Sequence, residues 1–154
     1  MGNKTLTEKI SVLIISSWVG NRFGLLFPTI SLLFFLMVTD YISGMLAAKK
    51  EALAHPDDKR YGWNSKKSLL GIYKKMGYIF IILVAVTTDY LIYKFANEIG
   101  IDFSNNTMFG LLITIWLIIN ELLSILENAH RMGVSLPEFL KKALAEAKNN
   151  IDKN

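Results

Sequence analysis

The stretch Gly24–Leu46, "GLLFPTISLLFFLMVTDYISGML", constrains this chain more than any other. Its 23 residues contain one carboxylate, Asp40, and no basic side chain. As a helix rising about 1.5 Å per residue it reaches roughly 34 Å, enough to cross the hydrocarbon of a bilayer. Pro28 falls in its first turn, where a missing N–H removes no helical hydrogen bond. Two more blocks have the same character. Gly77–Tyr93, "GYIFIILVAVTTDYLIY", is short and is expected to borrow turns from Leu69–Met76; Met108–Leu126 reads "MFGLLITIWLIINELLSIL". Tyr, Trp and Phe near several of these ends suit an aromatic belt at the membrane interface. The expected fold is an all-α membrane protein with three transmembrane helices.

Composition agrees. Hydrophobic residues make up 52% of the 154, high for a soluble chain, and they come in blocks and not at core periodicity. One domain fits this length. With no cysteine, disulfides, thiolate metal sites and cysteine nucleophiles are excluded. His55 and His130 are too few and too far apart to suggest a metal cluster. No glycine-rich phosphate loop, nucleophile elbow or HExxH motif occurs, so neither an enzyme nor a cofactor is expected.

Residues 10–19, "ISVLIISSWV", are too short to span. Lys4 and Lys9 before them resemble a signal-peptide start, but no small-x-small cleavage site follows. Residues 1–23 are therefore read as an amphipathic or interfacial segment, with a short fourth membrane-inserted helix as the alternative. The membrane region is expected over 24–131, and a C-terminal amphipathic helix with a polar tail over 134–154.

Orientation follows from lysine and arginine. The expected loop 49–75 carries Lys49, Lys50, Lys59, Arg60, Lys66, Lys67, Lys74 and Lys75 against Glu51, Asp57 and Asp58, a net +5. The loop after the second span holds Lys94 alone. The positive-inside rule places the long loop and the C-terminus in the cytoplasm of a bacterial inner membrane, although Lys4, Lys9 and Arg22 then lie on the opposite side. The basic loop, with Lys49, Lys50, Lys66, Lys67, Lys74 and Lys75 juxtamembrane, is expected to anchor on anionic lipid and not to bind nucleic acid. His55-Pro-Asp57-Asp58 reads as a turn, and Asn64-Ser65 as a helix cap.

Toward the C-terminus, Gly133 reads as the stop of the third helix. Ser135-Leu-Pro137-Glu138 has the form of a capping box, with Val134 and Phe139 placed for a hydrophobic staple. Leu136, Phe139, Leu140, Ala143, Leu144, Ala147 and Ile151 then mark one face of an amphipathic helix, which either lies on the membrane or packs on a neighbouring subunit.

The polar residues inside the spans carry the functional question. An ionised acid at the bilayer centre costs about 2.5–3.5 kcal/mol on insertion scales. Asp40, Asp89, Asn120, Glu121 and Ser124 must therefore face protein or water. Asp40 and Glu121 fall at similar depth, near the flanking lysines, whereas Asp89 lies toward the other side. Two readings stand: the acids hold helices together, lysine-paired or neutral, or they line a polar surface formed when subunits assemble. Below Asp40, the small residues Ser43, Gly44, Ala47 and Ala48 recur one turn apart and admit a close helix partner, so this face is the candidate for oligomerisation.

Three stretches taken together, "DYISGMLAAKK" (40–50), "SKKSLLGIYKKM" (65–76) followed by Asp89, and "NELLSILENAHRMGVSLPEFLKKAL" (120–144), resemble the bacteriophage holins of the toxin-secretion/phage-lysis type. The resemblance covers roughly residues 30–145. Its most specific part is Asn120, Glu121, Ser124, Glu127 and Asn128 followed by Gly133 and Pro137; Asp40, Gly44, Gly71, Lys75 and Asp89 match earlier positions. The chain departs from it in the long segment before Gly24 and the acidic insert His55–Asp58. The resemblance implies a protein that self-associates in the cytoplasmic membrane into lesions, releasing an endolysin, or in some relatives a toxin, without binding that cargo directly. The other function classes are a non-lytic adaptor docking a cytoplasmic partner and a small oligomeric ion channel.

Overall fold

The computed structural model describes residues 24–58, 61–62, 64–102 and 107–151. The expectations for residues 1–23, for Lys59 and Arg60, and for the side chains of Ala147, Lys148 and Ile151 lie outside what is described. Among the described residues four helices follow in order: α1 (Leu26–Ala54), α2 (Ser65–Glu98), α3 (Met108–Arg131) and α4 (Glu138–Ile151). The first three are long and apolar enough to cross a membrane.

The helix ends follow local rules. The first bond of α1 runs from Thr29 N to Leu25 O, so Pro28 lies among residues whose N–H groups would be unpaired in any case. Helix α1 continues through Lys49 and Lys50 to Ala54, because "AAKKEALA" consists of strong helix formers. It stops where Pro56 disfavours helical geometry at His55. Asp58 N then bonds His55 O at 3.2 Å, which makes the expected turn. The Asn64 side-chain oxygen accepts from Lys66 N at 3.0 Å and Lys67 N at 3.3 Å, the N-cap of α2. The expected loop 49–75 is thus largely helical; its connection is residues 55–64, and Lys66, Lys67, Lys74 and Lys75 stand on α2. Leu69–Met76 and the second span lie on one helix. Helix α2 runs unbroken for 34 residues through Gly71 and Gly77, each of which costs only about 1 kcal/mol in a helix.

Gly133 ends α3 at φ +97°. Gly133 N bonds His130 O at 2.8 Å and Val134 N bonds Ala129 O at 3.1 Å, the two bonds of a Schellman stop. Helix α4 starts later than the capping box implies. Pro137 O is the acceptor for Lys141 N at 3.2 Å, and Ser135 is exposed outside the helix. The physical reason is Pro137 itself, which pushes Leu136 out of helical geometry; Leu136 is buried instead. Val134 and Phe139 are both exposed and form no staple, and Glu138 bonds Lys141 at 2.7 Å.

Burial is inverted relative to a soluble protein. Phe34, Phe35, Phe80, Val84 and Leu112 are each more than 60% exposed, whereas Asp89, Thr114, Glu121 and Asn128 are buried. Such a surface is stable against lipid, not water. Hydroxyls on the spans are satisfied within their own helices: Ser31, Thr39, Thr87 and Thr88 each donate to the carbonyl four residues back.

The described residues fall into two compact units: 24–33 with Tyr78–Trp116, and Phe34–Gly77 with 117–151. In the first unit Leu26, Leu33, Ala85 and Thr114 are buried. In the second the buried set is Leu36, Ser43, Ala47, Leu117, Glu121, Asn128 and Leu136.

Candidate functional site

The second unit holds a polar cluster drawn from α1, α2 and α3. Lys75, on α2, sits between two acids: its Nζ is 3.0 Å from Asp40 Oδ2 on α1 and is also bonded to Glu121 on α3. The side chains of Lys75 and Asp40 are 15% and 16% exposed and that of Glu121 is 3% exposed, so this is an ion cluster removed from bulk solvent. Asn128, two turns after Glu121 on α3, places Nδ2 3.0 Å from both Asp40 Oδ1 and Ser43 Oγ. Ser43 in turn donates to Asp40 O at 2.9 Å.

The cluster continues to the end of α3. Arg131 donates through Nε to Glu51 Oε1 at 2.8 Å and through Nη2 to Oε2 at 2.7 Å, a bidentate pair, while Nη1 donates to Asn128 Oδ1 at 3.1 Å. The Asn128 amide is thereby fixed in orientation, oxygen toward a guanidinium and nitrogen toward a carboxylate. Lys50 Nζ bonds Arg131 O at 3.3 Å, closing the C-terminal end of α3 with a cation. An unbroken chain of hydrogen bonds therefore runs Glu51–Arg131–Asn128–Asp40–Lys75–Glu121. Each of its links but one, Arg131–Asn128, joins two different helices. A cavity of about 260 Å³ reaches this chain at Asp40, Asn128, Arg131 and Glu51, with Tyr61 and Lys67 also on its wall.

The first unit holds the remaining intramembrane acid. Asp89 is 4% exposed, and its two carboxylate oxygens accept from Phe109 N at 2.8 Å and Gly110 N at 2.7 Å. Those amides are among the four that the start of α3 leaves unpaired, so an acid on α2 caps α3. Gly110 makes the approach possible: a Cβ there would lie 3.2 Å from Asp89 Oδ2 and Val86 Cγ2 and 3.3 Å from Leu26 Cδ1.

Asp40 and Glu121 thus meet at one lysine, and Asp89 stands apart with a capping role. Ser124 lines the cavity and Asn120 is half-buried. The small face of α1 is covered by α3 of the same chain. Ala47 and Ser43 are buried, and a Cβ on Gly44 would lie 3.6 Å from Asn128 Nδ2, so these residues already serve a contact within the chain. Ala48 lines the cavity. Lys49, Lys50, Lys66, Lys67 and Lys74 are exposed, whereas Lys75 turns inward to the acids. In the C-terminal segment Pro137, Glu138 and Phe139 are exposed and Leu140 is half-buried.

Lys75 as pivot, Asn128 as hub and the Arg131–Glu51 pair were not foreseen as a network. A usable signal was present on α3, where Gly110, Thr114, Leu117, Glu121, Ser124 and Asn128 alternate spacings of four and three. That period marks one packed face of a helix and puts Glu121 and Asn128 on it together.

A model of the bacteriophage holin family matches residues 17–149, which includes every residue of the cluster and the Asp89 cap. The chain belongs to the bacteriophage holin family. The chain is 30% identical over 145 residues to an uncharacterised protein of Halalkalibacterium halodurans, covering 94% of this chain and 96% of the relative. It is 36% identical over 138 residues to an uncharacterised protein of Clostridium perfringens, covering 88% and 85%. A second Clostridium perfringens protein, an uncharacterised 14.9 kDa product of the nagH 3′ region, is 34% identical over 135 residues, covering 86% and 84%. No solved structure matches the chain.

Proposed function

We propose that this protein accumulates in the bacterial cytoplasmic membrane and self-associates there into lesions that let a cell-wall endolysin, or a secreted toxin, leave the cell. The observation that carries this reading is the family match over residues 17–149. The polar cluster supports it, because three apolar helices with acids, a lysine and an asparagine on their inward sides have the groups a water-filled lesion requires. The three described spans of one chain are too few to enclose such a lesion, so several copies have to line it. In this reading the basic ends of α1 and α2, and α4, lie on the cytoplasmic side, where anionic lipid holds the exposed lysines. The cargo passes without a dedicated binding surface, and neither catalysis nor a cofactor is involved.

Inducible expression in bacteria, with membrane potential and culture density followed together, tests the proposal. Expected is abrupt depolarisation after a delay, with lysis only when an endolysin is co-expressed. Intact potential and continued growth at high membrane levels of the protein would overturn it.

A further inference from the structure

The Lys75 cluster hides within one chain the groups that a lesion has to present to water. We propose that this cluster is an autoinhibitory latch. Lys75 and Asn128 hold Asp40 and Glu121 between α1, α2 and α3 of a single copy, and the chain becomes competent to line a lesion only when those bonds open. The inference rests on the lesion-forming role proposed above and adds what restrains it.

Three observations point this way. First, the bonds that matter are between helices: Lys75 on α2 reaches Asp40 on α1 and Glu121 on α3, and Asn128 on α3 reaches Asp40 and Ser43 on α1. Any separation of these helices breaks them together. Second, the acids are the groups with most to gain from water: buried, they require the lysine, while hydrated they require no partner. Closed and open forms thus satisfy the same carboxylates in different ways, the condition for a two-state element. Third, the cavity touches the latch on one side only: it is lined by Asp40, Asn128 and Arg131 but not by Lys75 or Glu121, so the Asp40–Asn128 contact is the part of the latch that borders open space.

The absence of cysteine from the chain permits a direct test. A Cβ at Gly44 would lie 4.0 Å from Asn128 Cγ, so the pair Gly44→Cys with Asn128→Cys is within reach of a disulfide across α1 and α3. Under oxidant, this variant is expected to leave the membrane potential intact at a membrane level at which the unmodified protein collapses it. Under reductant, with the Asn128 bonds gone, it should collapse the potential earlier than the unmodified protein. Lys75→Met, matched for membrane level, should also act early. Collapse on the unmodified schedule by the oxidised pair, or an unchanged or longer delay for Lys75→Met, would overturn the latch. A second readout does not depend on lesions: maleimide labelling of Ser43→Cys, buried between α1 and α3, should speed up when Lys75→Met is added. If the unmodified protein never depolarises cells, the lesion reading fails, while this labelling still decides the latch; equal rates with and without Lys75 would sink it.

Discussion

Asp89→Ala is the most informative single change in the first unit. The Asp89 carboxylate bonds Phe109 N at 2.8 Å and Gly110 N at 2.7 Å and is 4% exposed, so no water replaces it when it is removed. A buried amide left without an acceptor costs about 1–3 kcal/mol, and two amides are left here. The half-buried position of Phe109 lowers its share, so the loss is set at about 4 kcal/mol. The attraction between the acid and the positive end of α3 lies within the same two bonds and is not added again. Asp89→Asn keeps one oxygen but turns an N–H donor toward the second amide, so it should lose roughly half as much. The assay is SDS-induced unfolding in mixed micelles, followed by tryptophan fluorescence, with Trp116 on α3 as a local reporter. Thr87→Ala is the control, because its exposed hydroxyl bonds only Leu83 O of its own helix. A loss below about 1 kcal/mol for Asp89→Ala, the range of an ordinary surface change, would refute the capping argument. So would Asp89→Asn unfolding more easily than Asp89→Ala.

Other consequences can be read in the same assay. Gly110→Ala places a methyl 3.2 Å from Asp89 Oδ2 and Val86 Cγ2, overpacking that should cost about 1–3 kcal/mol; an unchanged midpoint would mean the close approach is not needed. Arg131→Lys retains the charge but not the two-pronged bond to Glu51, and the pair is 36% and 27% exposed, so the loss should be near 1 kcal/mol and should shrink as salt rises. A salt-independent loss would place the effect elsewhere. Gly133→Ala forces a side chain into φ +97° at the end of α3 and should destabilise by about 1–2 kcal/mol; equal stability would deny that the Schellman stop matters. Asn64→Ala removes the cap over Lys66 N and Lys67 N and should cost about 1 kcal/mol, visible as faster amide exchange in the first turn of α2.

The helices and their capacity to span were legible in the chain because a bilayer imposes a one-dimensional rule. About twenty apolar residues in a row have to be a helix, whatever surrounds them, since lipid offers the backbone no partner. Stops set by local chemistry were legible too: Gly133, the His55-Pro56 break and the Asn64 cap each depend on neighbours a few residues away. The delayed start of α4 is local as well: Leu136 precedes a proline, and that restriction overrides the Ser135–Glu138 capping pattern.

The site divides along the same line. Asp40 and Glu121 were picked out because a charge in an apolar run is costly wherever it faces, and their similar depth follows from counting residues to the span ends. What each acid pairs with depends on rotation about three helix axes, which apolar composition on all sides leaves open. Only packing shows that Lys75 turns inward while Lys74 beside it is exposed, and that the small face of α1 meets α3 of its own chain. Only packing gives Asp89 its acceptor role, twenty residues from the amides it caps. Sequence by itself decided that this chain is helical, membrane-spanning and burdened with intramembrane charge; the tertiary structure decided how that charge is satisfied, because hydrogen bonds between helices require a register and a rotation that no local pattern encodes.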